Sequence, residues 1–310
     1  MSSATYEMFP GAKQLPHKFL ADGMYFGESP RFHNEMLYLS DMTGCRIYTI
    51  DTSSGEKQIL LEVENQPNGM CFAADGSLIY SSMFDARLYR FSEGKSELYA
   101  DMSHVMTGYC GDMVIDRAGR VYMDDVGARV LHGEQPKAGR LLIIETDGTV
   151  KVAAEEVNFP NALMINSSGK SLILAETLAH QLTKFDIGND GRLHNRQKIW
   201  SPPSAARLDE QNGTFSIDGG CMDAEDGMWL SMLSYERFIR LDAQGNITHQ
   251  IKVDGHATAC TLGGVDGQTL YLVTNKVPRD ESSFQAMANK RTECTVSMAR
   301  VDIPRGAALP

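Results

Sequence analysis

The sequence predicts an all-β chain folded as a six-bladed β-propeller with four-stranded blades, and three observations carry that reading. One unit, strand–tight turn–strand, recurs six times along the 310 residues. Successive copies start about 40 to about 57 residues apart, which is the length of a propeller blade. Helical periodicity is scarce, whereas short apolar runs bounded by Gly, Asn, Asp and Ser recur throughout.

The clearest copy is FPNALMINSSGKSLILAET at 159–177: an apolar run, a turn at Asn166–Lys170, and a second apolar run. The others are QPNGMCFAADGSLIYSS at 66–82, CGDMVIDRAGRVYMDD at 110–125, IDGGCMDAEDGMWLSM at 217–232 and TACTLGGVDGQTLYLVT at 258–274, with a shorter version, GESPRFHNEMLYLSD, at 27–41. Each is followed by two further short strands, such as RIYTID at 46–51 and Arg140 to Glu145. The blades therefore span approximately 27–65, 66–107, 108–157, 158–200, 214–255 and 256–304, in one domain covering 1–310. Residues 1–20 read as irregular with an edge strand, and a strand before Gly27 is expected to complete the last blade, because an open ring would leave an unpaired edge. Three departures stand out: an insertion at 124–138, a polar loop at 201–213, and a loop or short helix from Asn275 to Arg291.

A formal net charge of −11 argues against nucleic acid and anionic membranes as partners, since both need a basic face. No apolar run is long enough for a membrane span, and the first residues lack the basic start and apolar core of a signal peptide. The six cysteines are scattered singly within predicted strands, as reduced thiols would be. These features point to a cytoplasmic protein, expected as a monomer or small homo-oligomer.

In a propeller the innermost strands all start at one mouth of the central channel, so equivalent residues form a ring there. That ring is Glu28, Asn68, Gly111, Asn161, Asp218 and either Thr258 or Ala259. Asn and Asp are common at strand starts for backbone reasons, and Asn68 in Pro-Asn-Gly fits that account. Glu28, Asn161 and Asp218 in register on three blades are a different matter. They are hard oxygen donors, and two carboxylates buried together are unfavourable without a cation. Ca²⁺ is the expected ion, with Mg²⁺, Mn²⁺ and Zn²⁺ left open. Met70, Met113, Met164 and Met222 follow the ring positions and read as core.

From Gly27 to Pro304 the chain resembles the senescence marker protein, gluconolactonase and regucalcin family of calcium-dependent six-bladed propellers. The resemblance lies in GESP at 27–30, PNGMCFAADGS at 67–77, GDMVIDRAGRVYMDD at 111–125, AGRLLIIETDG at 138–148, the 159–177 stretch, IDGGCMDAEDGMW at 217–229 and the 258–274 stretch. It implies metal ligation by Glu28, Asn161 and Asp218. The family usually has an Asn or Asp just before an Asp in the third blade, where this chain has Gly111 followed by Asp112.

The resemblance implies a small-molecule substrate, a lactone opened by metal-activated water. Asp218 is the first choice of base and Asp112 the second. Asn68, Tyr109, Cys110, His132 and His256 are the expected substrate walls, with His132 on an insertion able to cover the mouth. His180 is a weaker candidate than His256, and Cys110 has no identifiable partner histidine for a nucleophilic role. Hydrolysis of another electrophile such as a phosphotriester, a non-hydrolytic metal-assisted reaction, and a calcium-binding propeller without activity are the alternatives.

Overall fold

A computed structural model of the chain describes residues 9–203 and 217–306. The first eight residues, most of the polar loop expected at 201–213 and the last four residues of the tail lie outside the described residues.

The described strands form six sheets. Blade one contains β3 (Gly27–His33), β4 (Met36–Asp41), β5 (Arg46–Asp51) and β6 (Lys57–Glu62). Blade two contains β7 (Pro67–Phe72), β8 (Leu78–Ser82), β9 (Arg87–Ser92) and β10 (Lys95–Asp101). Blade three contains β11 (Cys110–Ile115), β12 (Val121–Asp125), β13 (Gly139–Ile144) and β14 (Val150–Val157). Blade four contains β15 (Pro160–Ile165), β16 (Ser171–Glu176), β17 (Gln181–Ile187) and β18 (Leu193–Trp200). Blade five contains β19 (Gly220–Met222), β20 (Met228–Met232), β21 (Arg237–Leu241) and β22 (Ile247–Lys252), and β1 (Lys13–Gln14) joins β22 in parallel. Blade six contains β23 (His256–Gly263), β24 (Thr269–Lys276) and β25 (Glu293–Arg300), with β2 (Lys18–Met24) as its outermost strand. An N-terminal strand thus closes the ring, pairing Phe19 with Ser297 and Met24 with Cys294.

Burial explains the sequence pattern. The second strands β8, β12, β16 and β20 are buried along their whole length, because each blade is pressed between two others. The outermost strands β10 and β18 are mostly exposed and correspondingly polar. The core is therefore a set of layers between blades, such as Tyr122, Leu141 and Ile143 of blade three against Leu163, Leu172 and Leu174 of blade four. Hairpin glycines serve the turns: Gly148 has φ 83°, and a Cβ there would lie 2.6 Å from the Tyr99 carbonyl oxygen.

One irregularity positions the site. The ladder between first and second strands slips between Glu28 and Arg31, Pro67 and Met70, Cys110 and Met113, Asn161 and Met164, and Ala257 and Ala259. Such bulges bend a strand and re-aim a side chain. Ser29 and Ala162, directly after Glu28 and Asn161, have φ of 45° and 49°. Non-glycine residues seldom adopt that region unless the surrounding structure imposes it.

Candidate metal centre and substrate cavity

The channel mouth opens into a cavity of about 110 Å³ counted over the positions a water centre can take, or about 780 Å³ of free space with its open mouth included. Its floor consists of Glu28, Asn68, Gly111, Asn161 and Asp218. Five of the six ring positions predicted from repeat alignment thus meet in one place. The sixth does not: Thr258 is fully buried and bonds the Gly27 and Val273 carbonyls, and Ala259 lines a smaller chamber beneath the floor.

The two floor carboxylates are electrostatically costly. Burial, reinforced by the negative charge of Asp112, pushes the Asp218 carboxyl up to about 8. Burial, then Asp218 and Asp112, raises Glu28 well above the usual carboxylate range, against a hydrogen bond from the Ser29 N–H. Both keep some exposed area on the cavity wall, yet protein surrounds their carboxyl groups on the other sides.

Asn161 is oriented by a residue that the sequence reading missed. The Thr177 hydroxyl donates to the Ile217 carbonyl at 2.6 Å. With its only proton committed, Thr177 Oγ1 must accept from Asn161, whose Nδ2 lies 2.9 Å away. The amide therefore offers Oδ1 to the cavity. Thr177 ties Asn161 of blade four to Ile217, the neighbour of Asp218. The donor set is two carboxylates and an amide oxygen, hard ligands that fit Ca²⁺ or Mg²⁺. Among the described residues no cluster of three His, Cys, Asp or Glu side chains is placed to hold a metal ion.

Asp112 is engaged rather than open. Its Oδ1 accepts from Arg31 at 3.0 Å and from the Met113 N–H at 2.9 Å, and its Oδ2 accepts from the Leu163 N–H at 3.1 Å. It lies in the small chamber below the floor and stitches blades one, three and four together. Gly111 has a physical reason. Asp124 is fully buried and accepts from the Gly111 and Asp112 N–H groups at 2.6 and 2.8 Å. A Cβ on residue 111 would lie 2.7 Å from an Asp124 carboxylate oxygen. Blade three therefore presents backbone to the cavity.

The expected substrate walls divide. Asn68, Tyr109 and His256 line the cavity. Asn68 is held by contacts of Nδ2 to the sulfurs of Met42 and Met83 at 3.7 and 3.9 Å, with Oδ1 3.4 Å from the Ser29 hydroxyl. Burial lowers the basicity of His256. Cys110 is fully buried, points at the Ser82 and Met83 carbonyls, and has its thiol pushed up by burial. It is part of the core rather than the wall. His132 is exposed and stands outside the wall, sharing a hydrogen bond with the Tyr109 hydroxyl and meeting Phe84 edge-on at 5.0 Å. His180 does not line the cavity.

Above the floor stand two further tiers, of which the sequence reading named only Tyr109 and His256. Phe26, Tyr109 and Phe159, each two residues before a floor residue in the segment leading into its strand, line the cavity together with His256 at the start of β23. The residues following the second strands, Met42, Met83, Val126, Thr177 and Leu233, form another tier. Carrying the repeat alignment one strand further would have found them. The roof comes from the insertions at 124–138 and 275–291: Val130 and Leu131 from one, and Ser283, Phe284 and Met287 from the other, where a short helix α1 (Ser283–Ala288) packs against the turn at 130–132.

A family model described as the SMP-30/gluconolactonase/LRE-like region matches residues 26–276. The chain belongs to that family. Among its relatives, pentonolactonase XacC of Haloferax volcanii is 24% identical over 252 residues, covering 80% of this chain and 81% of the relative. Chicken (Gallus gallus) regucalcin is 23% identical over 267 residues, covering 82% and 84%. A solved structure described as a calcium-binding protein, regucalcin, from Agrobacterium tumefaciens superposes with a TM-score of 0.77 at 16% identity over 97% of this chain and 100% of that one. At that identity the superposition speaks for the fold. In this SMP-30/gluconolactonase/LRE-like chain the matched region runs from the first blade's Phe26 to Lys276 at the end of β24, and so includes the whole floor.

Proposed function

We propose that the protein is a metal-dependent lactonase, with Glu28, Asn161 and Asp218 holding one divalent cation, Ca²⁺ by preference. The observation that carries the reading is the pair of largely enclosed carboxylates, Glu28 and Asp218, converging with an oriented amide on the floor of the cavity. In such a place only a cation or protonation makes two carboxylates tolerable. The family membership and the pentonolactonase relative support a lactone as the substrate.

When bound, a hard divalent cation supplies positive charge that polarises a carbonyl and acidifies water. The remaining work falls to the chain. Asp218, which would be largely protonated at neutral pH on its own, is kept ionised beside positive charge and can then accept the proton of the attacking water. The water oxygen adds to the lactone carbonyl carbon. The ring C–O bond then breaks, and the proton held by Asp218 goes to the departing ring oxygen. Asn68 and His256 border the floor and orient the ring. Arg31 pairs with Asp112 beneath the floor, and Asp112 in turn accepts from the Leu163 N–H, so that it supports the site by holding neighbouring blades in position.

Proton release on a panel of small lactones tests the reading. Turnover should vanish with a chelator, return with Ca²⁺, and fall by about a hundredfold or more in Asp218→Asn. Chelator-resistant turnover would remove the cation from the account. Tight Ca²⁺ binding with no turnover of any lactone would leave a binding protein.

A further inference from the structure

The cup above the metal floor is built for a different molecule from the sugar lactone that the family name suggests. Its tiers are lined by Met42, Met83 and Met287 and by Phe26, Phe159 and Phe284. Tyr109 adds an aromatic face whose hydroxyl is already engaged by His132. Thr177 has its hydroxyl committed to Ile217 and Asn161. Among the described residues that line the cavity there is no lysine or arginine. Beyond the floor, the other polar side chains on the lining are the His256 imidazole, whose basicity burial lowers, and the Ser283 hydroxyl at the roof.

A polyhydroxylated ring in this cup would bury several hydroxyls against sulfur and aromatic carbon. Each hydroxyl left without a partner lowers affinity by about tenfold. Above the floor an anionic substituent would find no lysine or arginine among the described residues to pair with. Thioether and aromatic walls suit planar or cyclic hydrocarbon, because polarisable sulfur packs well on ring edges and aromatic faces bury large apolar areas.

We infer that the substrate is an uncharged lactone carrying an aromatic or cyclic-hydrocarbon body, bound with its carbonyl at the Glu28–Asn161–Asp218 floor and its apolar body among the methionines and phenylalanines above. The inference rests on the lactonase reading for the reacting group, and on the cup alone for the body.

The experiment compares Ca²⁺-supplemented protein on dihydrocoumarin and on glucono-δ-lactone, and on δ-lactones with lengthening alkyl chains. The expected result is a kcat/KM for dihydrocoumarin roughly a hundredfold or more above that for the sugar lactone. Along the alkyl series kcat/KM should rise about two- to fourfold per methylene until the cup is full. Leu131→Asn and Phe284→Ser alter the partly exposed roof, where folding is least at risk, and should narrow the aromatic-to-sugar ratio by about tenfold. A second arm uses unreactive lactams: calorimetric binding of 3,4-dihydro-2-quinolinone and of gluconolactam. If no lactone is turned over but the aromatic lactam binds and Phe284→Ser weakens it, the ligand class stands and the hydrolytic reading falls. If the sugar lactone is turned over faster, or the sugar lactam binds more tightly, the ligand class is overturned while hydrolysis stands or falls separately. If neither lactam binds and no lactone is hydrolysed, the inference is overturned as well.

Discussion

At the scale of single residues the site depends on two hydrogen bonds of one hydroxyl. Thr177 links the Asn161 amide to the backbone before Asp218. Thr177→Val keeps the shape and removes both bonds, so cation affinity should fall about tenfold to a hundredfold. Calcium titration reads that loss, and Thr177→Ser should restore most of it, which a purely steric role would not. Protonation is the second residue-scale lever. The folded states of Glu28 and Asp218 hold protons that the unfolded chain has released. The contribution of these two groups to the stability of the chelated protein is therefore full below the unfolded carboxylate range near 4 and is lost as pH rises towards about 8. Thermal melts in a chelator should show the midpoint falling from pH 5 to pH 8, and added Ca²⁺ should cancel the fall. Flat melts in chelator would mean that the carboxylates do not face one another in the folded state. Repeat alignment brought out Glu28, Asn161 and Asp218 because the ring position is one register in every blade. It could not bring out Thr177, whose role is a proton count on one hydroxyl, nor the Asp124 carboxylate that leaves no room for a side chain at Gly111.

Among the strands, the second strand of several blades ends in a buried acid or amide that fastens the loop entering the first strand. Asn275 of blade six accepts from Gly27 of blade one, across the junction of the two blades, while Asp41 accepts from the Tyr25 and Phe26 N–H groups and Asp125 from Thr107 and Gly108. Glu176 does the same for Asn158 and is also held by Thr183, Gln181 and the Arg196 guanidinium. Burial opposes its ionisation, but these donors together hold its carboxyl below the usual glutamate value. Glu176→Ala would strand the Asn158 and Arg196 donors, and a loss of about 3 kcal/mol is expected in denaturant unfolding. Cation affinity should weaken with it, since the loop leads to Asn161. Strand number and order were legible in the sequence from turn residues and apolar runs. The bulges at the ring positions were not, because a one-residue slip changes no residue type. It shows only when the partner strand is known.

For the whole molecule, closure of the ring is a single joint. β2 pairs with β25 and buries Leu20, Ala21 and Met24. Removing residues 9–24 would expose that apolar row together with a free sheet edge. Such a truncation should lose cooperative thermal unfolding and aggregate, which light scattering and calorimetry would show. An intact melt would mean that the remaining blades close without the joint. The described residues include no helix long and apolar enough to cross a membrane.

The roof has a consequence for descent. The residues proposed to hold the cation, Glu28 and Asn161 on bulged strands and Asp218 just before β19, are tied to the sheets by hydrogen bonds of their neighbours. Much of what lines the rest of the cavity is carried on two excursions between paired strands, at 126–138 and 277–292. Change in the two parts is therefore uncoupled: replacing the excursions alters which ligand is admitted and leaves the chemistry of the floor intact. A lineage built this way can sample new substrates while losing little stability, and relatives with the same floor need share no ligand.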